Sequence, residues 1–166
     1  MRKIRSVLAQ STAVTAAVVV TVTSAGPAMA SGHSILRENF EGTQPLTDPV
    51  NPSPVIAGVS PGGAPWVLDE DSAVRVREDG RITVVVNHLV IPGRVPGNPV
   101  PLMAASLVCD DVVVDSTQAF AVSPEGDGHI SDRIAEVDDC DDPVVLVRSA
   151  TNPAALGSYF AVAADD

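Results

Sequence analysis

Four short constellations in this 166-residue chain hold side chains able to do chemistry. The first is Ser31-Gly32-His33. If cleavage follows Ala30, a free amine, two deprotonated amides and a third-position imidazole make a square-planar nitrogen set. That geometry suits Cu(II) or Ni(II). The second is Asp138-Asp139-Cys140-Asp141-Asp142, four carboxylates around a cysteine, with Glu125 and Asp127 in a turn before it. Oxygen clusters on loops hold Ca2+. EF-hand spacing fails here, because aligning Gly128 with the invariant glycine puts Ile134 where the bidentate Glu belongs. A solvated, screened acidic turn is the simpler account of the run.

The third constellation, Gly58-Val59-Ser60-Pro61-Gly62, matches the G-x-S-x-G nucleophile elbow. An elbow needs a strand before it, a helix after it, and an N–H on the residue that follows the serine. That residue is Pro61, which has none. Ser60 is therefore read as a loop serine. The fourth is the pair Cys109 and Cys140, the only cysteines. Neither has a Cys or His neighbour at ligand spacing, so a disulfide is expected in an exported chain. His33, His88 and His129 complete the candidates. A lone histidine is usually a surface or packed residue, and a Ser-His-Asp site would need partners that the sequence does not point to. No zinc spacing, Gly-rich phosphate loop or unblocked N-x-[ST] acceptor occurs. Trp66, Phe120, Tyr159 and Phe160 are too few for an aromatic carbohydrate platform and read as core or rim.

The elements that must position these residues begin after a targeting segment. Arg2, Lys3 and Arg5 precede the apolar run Ala13 to Val22, and Ala28-Met29-Ala30 offers a small-residue cleavage site. Residues 1–30 read as a secretory signal peptide, the run being too short for the roughly 20 residues of a membrane span. A secreted, extracellular product with no membrane span is expected. Residues 1–30 hold three of the ten basic side chains and none of the 21 acidic ones. Seven arginines then face 21 carboxylates. Such acidity makes nucleic acid and anionic membranes poor partners and suits solubility outside the cell.

Residues 31–63 are rich in Pro, Gly, Asn and Thr and are expected as an extended arm, with a short strand at Ser34 to Phe40. Residues 64–166 then form the domain. Val74 and Val76 alternate with Arg75 and Arg77, and Arg81 to Val86 follows Glu78-Asp79-Gly80. A three-residue loop with Gly80 left-handed pairs Val76 with Ile82 and Val74 with Val84, and sets Arg75 opposite Thr83. Leu102 to Cys109 is a strand that aims Met103, Ala105, Leu107 and Cys109 at one face. Short strands are expected at Val112–Asp115, Gln118–Val122, Val144–Arg148 and Ser158–Ala163, with an imperfect one over His129–Val137. About eight strands at ten-residue spacing, with no convincing helical period, predict an all-β fold. The expected architecture is an antiparallel β-sandwich close to immunoglobulin-like. The immunoglobulin signature itself requires a Trp between the cysteines, and Trp66 precedes both.

The run Pro61-Gly62-Gly63-Ala64-Pro65-Trp66-Val67-Leu68 resembles part of a family of small secreted actinobacterial proteins of unknown function. So do Glu78-Asp79-Gly80-Arg81, Leu89-Val90-Ile91-Pro92 and Ala105-Ser106-Leu107-Val108-Cys109. The resemblance implies export and a β-domain, and supplies no substrate or catalytic residue. The expected function is a non-catalytic secreted module that binds an extracellular protein or envelope component. Extracellular copper or calcium binding is the alternative, and a hydrolase with an unrecognised site is the third reading.

Overall fold

The computed structural model describes residues 32–137, 139–152 and 155–165. The expected signal peptide, Ser31 and Asp138 lie outside the described residues. Among the described residues, ten strands form two sheets whose strand pairings are all antiparallel. One sheet runs in the order β1 (Ser34–Asn39), β3 (Ala73–Arg77), β4 (Arg81–Val86), β8 (Gly128–Arg133). The other runs β2 (Glu41–Gly42), β10 (Tyr159–Ala164), β9 (Val144–Ser149), β5 (Leu102–Cys109), β6 (Val112–Ser116), with β7 (Phe120–Ala121) also on β5. A single core of Leu36, Val74, Val76, Ile82 and Val84 against Met103, Ala105, Leu107, Val145 and Val147 lies between them. The all-β sandwich is as expected, with ten strands in place of about eight.

The hairpin of β3 and β4 follows its side-chain alternation. Val76 lies opposite Ile82, Val74 opposite Val84 and Arg75 opposite Thr83. The valines and the isoleucine are buried, and their neighbours Arg75, Arg81 and Thr83 are exposed. Gly80 has φ +78°, a region open to glycine at little steric cost. A second constraint was not visible in the sequence. A Cβ on Gly80 would stand 2.2 Å from the carbonyl oxygen of Ile134. After Arg133 the chain leaves the ladder and wraps over this turn, Ile134 N–H donating to Gly80 O at 2.9 Å and Val137 N–H to Glu78 O at 3.1 Å. That is why the imperfect alternation over 129–137 yields a strand that ends at Arg133.

The central strands of the six-stranded sheet are buried on both faces, which explains the unbroken apolar runs of β5 and β9. Met103, Ala105 and Leu107 point into the main core, while Val108, Leu146 and Tyr159 form a second cluster with Val59 on the other side. The cover is the Pro-rich stretch read as an arm. Ile56 and Val59 close a tight turn, and Gly62 N–H donates to Tyr159 O at 2.8 Å. Tyr159 O–H donates to Pro54 O at 2.6 Å. The segment carrying the G-x-S-x-G match is this cover, and Ser60 O accepts from Tyr159 N–H at 3.1 Å.

Residues 34–42 switch sheets. They pair as β1 with β3, bury Phe40 in the core, and pair as β2 with β10. Gly42 allows the crossing, since a Cβ there would stand 2.1 Å from Trp66 O. Trp66 stacks on Phe160 with ring centroids 4.3 Å apart. The stretch expected to precede the domain thus supplies strands to both sheets and the outer cover of one. Pro65–Leu68, expected as the first run of the domain, forms no named strand: Trp66 N–H donates to Thr43 O at 2.8 Å, and Val67 makes an isolated bridge to Val90.

Cys109 and Cys140 are disulfide-bonded, with Cα atoms 5.2 Å apart. The bond ties the end of β5 to the loop between β8 and β9, where the chain passes from one sheet to the other. Immunoglobulin domains instead place their disulfide between facing strands of the two sheets.

Two changes test this architecture. Gly80→Ala adds both a left-handed alanine and a contact with Ile134 O, and should lower stability by roughly 2–4 kcal/mol in urea unfolding. An unchanged midpoint would mean that the turn tolerates a Cβ. Cys109→Ser with Cys140→Ser frees a loop of 31 residues, and chain entropy puts the loss at roughly 3–4 kcal/mol. A loss under about 1 kcal/mol would mean that the two cysteines are held together without the bond.

Candidate functional site

The arginines are unevenly placed. Five of the seven beyond residue 31, Arg37, Arg75, Arg77, Arg81 and Arg133, lie on the solvent face of the four-stranded sheet. Alternation puts them there. Val74, Val76, Ile82 and Val84 take the inner face, so the residues between them face water. Arg37 lies directly opposite Arg75, and Arg81 directly opposite Arg133. Like charges directly opposite across strands are destabilising. Acidic residues of the same strands turn away. Glu38 lies opposite Val74 and Asp132 opposite Ile82, on the inward parity, and Asp132 accepts from Gln118 N–H at 2.8 Å.

Only two of the five have an acidic partner among the described residues. Arg81 Nε donates to Asp79 Oδ2 at 2.7 Å, and Arg133 reaches Glu136 at 3.8 Å. No carboxylate of a described residue comes within 4.0 Å of Arg37, Arg75 or Arg77. Between the rows, Thr83 and Ser131 bring their hydroxyls to 3.4 Å. Arg75, Arg77, Arg81, Thr83 and Ser131 line a concavity of about 480 Å3. The two remaining arginines are elsewhere. Arg148 donates to Leu156 O at 2.9 Å and Gly157 O at 3.0 Å, and burial lowers its pKa. Arg94 lines a separate cleft.

That cleft, about 680 Å3, is walled by Val67, Val90, Ile91, Val95 and Pro96, with His88, Arg94 and Glu125 as its charged or titratable groups. His88 has φ +54°, and its N–H donates to Asp127 Oδ1 at 2.9 Å. The lining contains no serine, threonine, cysteine or aspartate to pair with the imidazole. His129 lies on the arginine face, opposite Val85.

The expected metal sets are differently disposed. Of Ser31-Gly32-His33, the last two are described. His33 N–H donates to Glu78 Oε2 at 3.2 Å, and His33 O accepts from Glu78 N–H at 3.1 Å. Copper would have to take the His33 amide from Glu78. Of the acidic run, Asp139, Asp141 and Asp142 are exposed. Asp142 shares a recess of about 180 Å3 with Asp110 and Asp111. The left-handed φ of 51° and 59° at those two fits a two-residue β5–β6 turn. Among the described residues, no three His, Cys, Asp or Glu side chains meet in an arrangement suited to a metal ion.

The arginine face was partly legible. Arg75, Arg77 and Arg81 flank the predicted turn with outward parity. Adding Arg37 and Arg133 required knowing that β1 and β8, distant in sequence, flank the hairpin.

The Arg81 side-chain hydrogen bond is the main cause holding the Asp79 carboxyl below the usual carboxylate range. A depressed folded pKa stabilises the fold above the unfolded value, and that contribution is lost as pH falls through the folded value. The pair should therefore fade below about pH 4. The difference in melting temperature between wild type and Asp79→Asn, measured from pH 6 to pH 2, should shrink over the acid end of that range. A difference constant with pH would mean that the ion pair contributes nothing. No family model, curated protein or solved structure matches the chain.

Proposed function

We propose that this chain is an exported, non-catalytic binding module that holds an anionic extracellular or envelope component on the arginine face of its four-stranded sheet. The observation that carries this reading is the concentration of five of seven arginines on one sheet face of a strongly acidic chain. Two arginine pairs face each other directly, and three of the five have no acidic partner among the described residues. An arriving anion would relieve that repulsion and accept charge-assisted hydrogen bonds, roughly twice as strong as neutral ones. The guanidinium is also the less strongly hydrated cation, which favours its use in recognising oxyanions.

The three-part order of residues 1–30 supports export, and a disulfide is at home outside the reducing cytosol. The resemblance of Pro61–Leu68 and of the stretches after it to small secreted proteins points the same way.

The test is binding of residues 31–166 to a panel of small and polymeric anions against neutral dextran, at about 0.01 M and 0.15 M salt. At least one anion should bind, more weakly at the higher salt. Arg75→Gln with Arg133→Gln should weaken it by about tenfold or more, and Arg94→Gln should leave it unchanged. Absence of any anion binding, or equal binding by the double variant, would overturn the reading.

A further inference from the structure

The arginine face has a centre, and its surroundings select what fits there. Arg75 lies opposite Thr83, and Thr83 opposite Ser131. Arg77 and Arg81 flank the turn at the end of the same hairpin. Together they make a concavity with three guanidinium groups and two hydroxyls. One anionic group already sits at its edge. Asp79 accepts from Arg81 Nε at 2.7 Å and from Arg81 N–H at 3.2 Å.

Beyond the strands the charge reverses at both ends. Glu78, Asp79 and Glu136 lie by the turn, and Asp69-Glu70-Asp71 precedes β3 at the other end. A five-residue strand spans about 17 Å, roughly two Debye lengths at physiological salt. An extended polyanion laid along the strands would run onto carboxylates at either end. A compact anion stays among the arginines. The donors also outnumber what a carboxylate accepts. Three guanidinium forks and the hydroxyl pair suit an anion with three or four oxygens, and arginine forks match such oxyanions in bidentate fashion.

We propose, resting on the binding reading above, that Arg75, Arg77 and Arg81 with Thr83 and Ser131 form a seat for one tetrahedral oxyanion, a phosphate or sulfate group, and that Asp79 competes with this anion for Arg81. The bound group takes the Arg81 fork from Asp79, whose carboxylate returns to water. Asp79 thereby sets the affinity, acting as a weak internal occupant of the seat's edge.

The test is calorimetric or NMR titration of residues 31–166 with inorganic phosphate and inorganic sulfate in separate arms. Acetate and polyglutamate serve as the carboxylate and polyanion comparisons. Phosphate or sulfate should bind at least about tenfold more tightly than acetate, and the arms tell which is preferred. Arg75→Gln and Arg77→Gln should each weaken binding by about tenfold, the loss of a charge-assisted contact. Asp79→Asn should tighten it by about threefold or more, because the amide keeps an oxygen for Arg81 N–H while the competing charge is gone. This opposite sign cannot arise from a misfolded variant. Binding of polyglutamate without phosphate or sulfate would overturn the seat while leaving the binding reading intact. Absence of all anion binding would overturn both. An Asp79→Asn variant that binds no better than wild type would overturn the competition, and with it the placement of the anion at Arg81.

Discussion

Two-residue alternation in β3 and β4 is the constraint on which the rest depends. Burying Val74, Val76, Ile82 and Val84 is worth roughly 1.5–3 kcal/mol for each side chain. Those residues are essentially inaccessible in the core. The pleat then leaves no choice for their neighbours, and Arg75, Arg77, Arg81 and Thr83 must face water. Repulsion between opposed arginines costs less than about 1 kcal/mol per pair. The core therefore wins easily, and charge crowding on the outer face is a cost the fold can carry. A one-residue slip would bury the arginines and expose the valines. The surface proposed to bind an anion is thus held in place by the same register that builds the core.

The second sheet meets a different demand. Its central strands β5 and β9 are apolar on both faces, so a layer must cover each. The first sheet covers one. The Pro-rich stretch around Val59 covers the other, pinned by the Tyr159 hydroxyl on Pro54 O and by backbone bonds between Tyr159 and both Ser60 and Gly62. Proline suits this job. A cover that does not extend the ladder needs few free N–H groups, and fixed φ angles reduce what ordering the segment costs. The disulfide works where the chain passes from β8 to β9. There it holds an acidic loop, whose carboxylates repel one another, against the end of β5.

Charge is sorted by surface. The four-stranded sheet gathers five arginines, while carboxylates crowd the turns at its ends and the loops about the disulfide. Salt screens such fields over about 8 Å in physiological conditions. A small anion at the sheet centre would feel chiefly arginine, and the acidic remainder would keep the body soluble and discourage long polyanions.

Local pattern was enough for the hairpin register, the left-handed Gly80, the parity that sends Cys109 inward, and the all-β class. Each depends on residues close in sequence, and period-two burial is a local property. The pairing of the two cysteines followed from their number and the expected export. Tertiary structure alone decided which strands flank the hairpin, and so whether three arginines or five share a face. The short strand from Ser34 was expected, but tertiary structure alone placed it beside β3, added β2 to the other sheet and made the rest of the Pro-rich stretch a lid, and it alone set Ile134 O against Gly80. Those outcomes join residues tens of positions apart. They are settled by which apolar faces remain uncovered after the hairpins form, a quantity that no short window of sequence contains.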